Sequence, residues 1–246
     1  MIATIDAAAK LTLSLRITGV RDDGYHLIDA IMTTLDLHDR LVIDPTGPSS
    51  RLDVDGPFAA GVPTSNDNLV LRALAVTGRT ASIALTKNIP HGGGLGGGSA
   101  DAAAILRWAG FTDLGRASRL GADIPFCMVG GRARVRGIGE LVEPLNPDPA
   151  AYTLVIPPFS VATATVYARW DALGGPRCER TEHPNDLEAA AIDVEPRLAT
   201  WRDRIADACG VEPVLAGSGA TWFVPGRHST LAELLVDARV VETTGA

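Results

Sequence analysis

Lys87-Asn-Ile-Pro-His-Gly-Gly-Gly-Leu-Gly-Gly-Gly-Ser-Ala-Asp-Ala-Ala-Ala104 is the stretch on which the reading of this chain turns. From Pro90 to Ser99 six of ten residues are glycine, yet neither flank is low-complexity. Upstream, Ala81 to Lys87 alternates as a strand does, with Ile83 and Leu85 on one face. Downstream, Ser99 to Trp108 is rich in alanine, a good helix former, and Ser99 is placed to cap it. A strand, a glycine loop and a helix together make an anion site. Without Cβ atoms the backbone comes close to a phosphate, and the helix N-terminus adds free donors and partial positive charge. A flexible linker would not sit between a strand and an apolar helix. No Gly-Lys-Ser/Thr closes the loop, so it is not a P-loop, and the Gly-x-Gly-x-x-Gly match inside it is one any glycine cluster supplies.

Composition bounds the rest. With 246 residues, 46% hydrophobic and 21% charged, the chain can bury a substantial core. Its net charge of −7 opposes broad binding to a nucleic-acid backbone, though not to a nucleotide. Cys127, Cys178 and Cys209 are too few and too scattered for a disulfide framework or a metal motif. No signal-like start and no membrane-length apolar run is present, so a cytoplasmic protein is expected, without nucleic-acid or membrane partners.

Outward from the loop, Leu11 to Ile17 alternates as a strand, and Lys10 at its start reads, on periodicity, as a solvated side chain. A turn at Asp23-Gly24 leads to Tyr25 and His26 and an extended stretch through Leu35. Tyr25 and His26 serve either edge packing or a flat stacking surface with a hydrogen-bonding ring. Asp39 to Asp44 and Arg51 to Asp55 read as two short strands around a Pro/Gly/Ser turn. Asn66 to Asn68 caps a helix carrying Leu69, Val70 and Leu74. Asp123, between Gly121-Ala and Ile-Pro125, reads as a cap of the next turn. Arg132 to Arg136 lies in a glycine-punctuated pair of strands. Pro147 to Ala150 marks a boundary, giving units 1–147 and 148–246. Beyond it come a strand at Tyr152 to Ile156, a helix at Ala164 to Leu173 and helical sequence from Asn185 to Cys209 broken at Pro196. A second glycine turn between strands follows at Ala216-Gly-Ser-Gly-Ala-Thr, then a helix at Leu231 to Ala238 and a last strand at Arg239 to Glu242. The class is α+β.

Three motifs in this order resemble the GHMP kinase superfamily: Ala9-Lys-Leu-Thr-Leu-Ser-Leu, Pro90-x-Gly-x-Gly-Leu-Gly-Gly-Gly-Ser-Ala and Ala216-Gly-Ser-Gly-Ala-Thr. Within it, Thr18-Gly-x-Arg-x-Asp-Gly-Tyr-His, Gly121-Ala-Asp-Ile-Pro-Phe and Asn185-Asp-Leu-Glu are most similar to the branch that acts on a cytidine-diphosphate-linked methylerythritol. The resemblance spans nearly the whole chain. It implies a two-domain fold with the active site in the cleft between domains, and ATP-dependent phosphorylation of the substrate's 2-hydroxyl in the non-mevalonate isoprenoid pathway.

By the resemblance, Asp123 matches the catalytic base and Lys10 the lysine set against it. Pro90, Gly92, Gly93, Gly94, Leu95, Gly96, Gly97, Gly98 and Ser99 would hold the ATP phosphates. Asn68 and Leu69 lie near adenine, and Lys87 at the mouth of the loop. Tyr25 and His26 would stack on and read the cytosine, with Tyr167, spaced from Thr163, as the second stacking face. Gly217, Ser218 and Gly219 would complete the substrate site from the C-terminal unit. The chain departs from the family pattern at Thr12, where asparagine is usual, and in shorter 109–121 and 173–184 segments. It departs again at Gly98, where several superfamily kinases place a metal-binding serine. Mg2+ is thus expected to arrive through ATP phosphates and water, with no protein ligand named, and the oligomer to be a monomer or homodimer. Another small-molecule kinase of the superfamily, or a non-catalytic nucleotide-binding paralogue, are the alternatives.

Overall fold

In the computed structural model of the chain, residues 1–47, 49–90, 92–181 and 184–246 are described. Pro48 of the predicted turn, His91 of the glycine loop and residues 182–183 of the shortened segment lie outside the described residues.

The strands are β1 (Ala3–Val20), β2 (His26–Asp44), β3 (Arg51–Asp55), β4 (Ser82–Thr86), β5 (Arg132–Gly137), β6 (Leu141–Pro144), β7 (Ala151–Ile156), β8 (Val214–Leu215), β9 (Trp222–Pro225) and β10 (Arg239–Thr244). The helices are α1 (Leu69–Thr77), α2 (Gly97–Trp108), α3 (Leu114–Ser118), α4 (Ile124–Val129), α5 (Thr163–Ala172), α6 (Glu188–Val194), α7 (Arg197–Cys209) and α8 (Leu231–Leu234). Among the described residues they build an α+β fold on two sheets. One runs β3-β4-β2-β5-β6 with β1 on the free edge of β2, and the other runs β10-β7-β9-β8.

The long strand β2 organises the first sheet. One edge carries β1 antiparallel over nearly its whole length. Its other edge is shared, with β5 paired to residues 28–33 and β4 to residues 40–44. The residues predicted as a separate strand at Asp39 to Asp44 are therefore the second half of β2. Its predicted neighbour β3 pairs in parallel with β4, which lies between them. Alternation over short windows could not show that the extended backbone runs unbroken through Asp36 to His38.

Helix α2 packs in the core of this half. Ala100, Ala102, Ala103, Ala104, Ile105 and Leu106 are buried, and their small side chains let the helix lie close on β1, α1 and α4. The C-terminal half buries Leu187, Leu198, Trp201, Ile205 and Trp222 against its own sheet, together with Leu15 and Ile17 of β1. A third apolar cluster joins the halves, with Leu11, Leu13, Ile89 and Leu95 against Leu154, Ile156, Ala216 and Phe223. Helix α8 ends at Leu234, earlier than the predicted Ala238, and the residues between it and β10 form turns. Among the described residues no helix is long and apolar enough to cross a membrane.

Candidate active site

The glycine loop delivers the chain from β4 into α2. Gly96 stands at the N-cap with φ 68° and ψ 20°, and no side chain caps the helix. Ser99, predicted as the cap, lies instead within the first turn. The left-handed turn at Gly96 starts the helix two residues sooner, so the first-turn N–H groups stay unclaimed by any cap. A Cβ at Gly96 would fall 2.8 Å from Lys10 Cγ, and at Gly94, where φ is 77°, 2.4 Å from the Ala216 carbonyl oxygen. The first glycine turn is therefore pressed on Lys10 and on the second glycine turn, with backbone meeting backbone.

Lys10 is not the solvated residue that periodicity suggests; it is 5% exposed. Its backbone N–H donates to Leu95 of the loop at 3.0 Å, beside a shift in the β1–β2 register between Ala8 and Lys10. Its Nζ donates to Thr12 Oγ1 at 3.0 Å and lies 3.3 Å from Asp123 Oδ2. Asp123 occupies the N-cap position of α4 but makes no side-chain cap bond. The carboxylate is turned toward Lys10 and keeps 31% of its side chain exposed, so it is open to a substrate. Two residues separated by more than a hundred positions thus meet beside the loop. Gly217 joins them from the other half: a Cβ there would lie 3.7 Å from Lys10 Nζ.

Lys87 stands at the base of the loop, in the lining of the cleft with Asn68 and Leu69. Its ammonium is 3% exposed and bridges Asp39 and Asp101, the latter at 2.7 Å. Asp39 also accepts from the backbone N–H groups of Asn88 at 2.5 Å and Ile89 at 2.8 Å, the two residues that lead into the loop. Burial pushes the Asp101 carboxyl up to about 7, outweighing the opposite pull of the Lys87 ammonium. With two of its donors aimed at carboxylates, Lys87 braces the base of the loop, its Nζ beside Gly97. Asn68 caps α1: it accepts from Val70 N–H at 2.9 Å and donates to the Pro63 carbonyl at 2.7 Å. Asn68, Leu69, Lys87 and Gly98 line a cleft of about 210 Å³ beside the N-terminus of α2.

A larger cleft of about 430 Å³ is lined by Tyr25, His26, Ala122, Tyr167 and Asp171 among others. Tyr25 is exposed. His26 is tucked under Tyr167, ring centroids 4.7 Å apart, with its Nε2 2.8 Å from Asp171 Oδ1. Burial holds the Tyr167 hydroxyl far above the ordinary phenol range. Thr163 and Ser218 meet each other at 2.8 Å, tying α5 to the second glycine turn. Asn185 donates to the carbonyls of Leu215 and Gly217 at 2.9 and 2.7 Å and so shapes that turn.

Sequence reasoning passed over Asp39, Asp171 and the turn-shaping role of Asn185. Only Asp171 had a local signal. It follows Tyr167 by four residues on a helix, hence on the same face.

The GHMP kinases N terminal domain family matches residues 68–131. The chain is 39% identical over 241 residues to the 4-diphosphocytidyl-2-C-methyl-D-erythritol kinase of Ruegeria pomeroyi, covering 88% of this chain and 86% of that one. It is 40% identical over 243 residues to the enzyme of the same name from Paracoccus denitrificans, covering 92% and 87%. Among solved structures, a 4-(cytidine 5'-diphospho)-2C-methyl-D-erythritol kinase superposes with a TM-score of 0.78 at 32% identity, over 99% of this chain and 100% of that chain.

Proposed function

The chain belongs to the 4-diphosphocytidyl-2-C-methyl-D-erythritol kinases, ATP-dependent phosphotransferases, and we propose that its own Lys10, Asp123 and glycine loop carry the transfer to the 2-hydroxyl of the methylerythritol. The observation that supports these roles is the contact of Lys10 Nζ with Asp123 Oδ2 at 3.3 Å, on a lysine whose own N–H is bound to the loop.

In this reading the free first-turn N–H groups of α2 and the backbone of the Gly92–Gly98 turn hold the triphosphate. Asp123 accepts the proton of the substrate hydroxyl as its oxygen bonds to the terminal phosphorus, and the bond from that phosphorus to the ADP oxygen breaks. Lys10 orients the hydroxyl and steadies the negative charge on the moving phosphoryl group, which needs positioning and electrostatic support more than covalent help. Thr12 keeps the ammonium aimed. The cytosine lies in the larger cleft with Tyr25 and Tyr167 as its stacking faces and His26 at its edge. Adenine takes the smaller cleft beside Asn68 and Leu69.

Among the described residues no group of three His, Cys, Asp or Glu side chains could hold a metal ion, and Gly98 offers no side-chain oxygen. Mg2+ belongs to this reading as the counter-ion of the ATP phosphates. The division into units 1–147 and 148–246 falls between β6 and β7, with the first presenting the loop and the second closing the cytosine cleft.

ADP release with 4-diphosphocytidyl-2-C-methyl-D-erythritol and ATP, measured by a coupled assay, tests the reading. Turnover well above the rate without acceptor is expected; a rate no higher than with water alone rejects it.

A further inference from the structure

The cleft assigned to the cytosine contains one acidic side chain, Asp171, to which the reaction gives no part. On α5, Tyr167, Trp170 and Asp171 stand at positions i, i+3 and i+4 and share a face. All three bear on His26. Tyr167 lies 4.7 Å from its ring, tilted by 46°, and Trp170 meets it edge-on at 5.6 Å and 80°. Asp171 Oδ1 is 2.8 Å from Nε2. The imidazole is thereby held from three sides, with 11% of its side chain exposed.

A carboxylate accepts hydrogen bonds and does not donate them. The hydrogen between Asp171 and His26 therefore belongs to Nε2. In the neutral imidazole this leaves the lone pair on Nδ1, which then accepts. Nδ1 has no hydrogen-bond partner among the described residues. The two pyrimidines differ at this point of their edge: cytosine carries an exocyclic amine that donates, whereas a carbonyl that accepts stands in its place in uracil and thymine.

We propose that Asp171 is a positioning residue that selects cytosine over uracil, by holding His26 with its proton on Nε2 and its Nδ1 lone pair turned to the base. The inference rests on the reading of this cleft as the nucleobase site and adds to it the residue that sets its preference.

The test compares CMP with UMP, titrated calorimetrically into the intact wild-type protein and into Asp171→Ala. Asp171 is half exposed, so the variant should fold. Wild type is expected to bind CMP about 10- to 100-fold tighter than UMP, the worth of one well-placed base-edge contact. In D171A the ratio should fall toward one, chiefly through weaker CMP. The KM for the cytidine substrate should rise while kcat and the KM for ATP stay within about twofold, the signature of lost uniform binding. Nitrogen-15 NMR of wild-type His26 should show the proton on Nε2. An unchanged CMP/UMP ratio in D171A, or a proton resident on Nδ1 in the wild type, overturns the inference. Failure of the wild-type protein to release ADP with the cytidine substrate would strike the functional reading, and the binding ratio would still decide the role of Asp171.

Discussion

Two buried lysines flank the glycine loop, and their surroundings differ in one respect that separates chemistry from architecture. Lys87 lies between two carboxylates that are themselves sealed, with Asp39 and Asp101 each at most 3% exposed. Lys10 has one carboxylate, Asp123, which keeps 31% of its side chain in the open, and a hydroxyl from Thr12. An ammonium enclosed by sealed acids on both sides serves first to hold parts together. An ammonium with one open-sided acid leaves a place where a hydroxyl and a phosphoryl group can be received.

The sharpest way to break this comparison is Asp123→Asn. It keeps size and removes the proposed base, so kcat should fall by about 10²- to 10⁴-fold, the usual worth of a positioned acid or base. The KM for ATP should hardly move, and neither should the urea midpoint. A loss of stability instead of rate would make Asp123 the equal of Lys87.

Lys87→Met is expected to do the reverse. Removing the cation leaves two buried carboxylates facing each other without compensation, a change that typically costs about 3–5 kcal/mol of stability. The readout is denaturant unfolding, with kcat per folded molecule largely kept. The pH dependence sharpens the same point in the wild type. Because burial raises the Asp101 carboxyl from 3.8 to about 7, the folded protein holds a proton there that the unfolded chain has released. Its contribution to stability is therefore complete at low pH and declines as pH rises across that window. Unfolding midpoints should drop between about pH 4 and pH 7 from this group.

The smallest expected effect is that of Thr12→Val, which deletes the hydroxyl accepting from Lys10 and keeps the shape of the side chain. A hydrogen bond to a charged group is worth about 1.5–3 kcal/mol, so kcat should fall by about 10- to 100-fold, with binding of both substrates nearly intact. No change in kcat would mean that Asp123 alone aims the ammonium.

Much of this site was legible before any fold was known, because its motifs are local. The glycine run between a strand and a helix, the Tyr25-His26 pair after a turn and the second glycine turn at Ala216 each carry their meaning within a dozen residues. What escaped was set by distance along the chain. Lys10 reads on periodicity as a solvated lysine and Lys87 as a residue at the loop's mouth, and their acidic partners stand on other elements, with 48 residues separating Lys87 from Asp39. The bond from His26 to Asp171 spans 145. The fold was misread where local pattern and tertiary pairing part. Asp39 to Asp44 alternates as a short strand would, and only the pairing with β1 shows that it continues β2. Ser99 has the chemistry of a cap, and the left-handed backbone at Gly96 takes its place.

The contact of Gly94 with the Ala216 carbonyl carries a lesson for anyone diversifying this scaffold. A mutational library that touches Gly94 will return mostly dead clones, because any side chain there runs into the backbone of the facing turn. Remodelling at Ala164 and Ala168, in the wall of the larger cleft, is where new acceptor shapes should be sought.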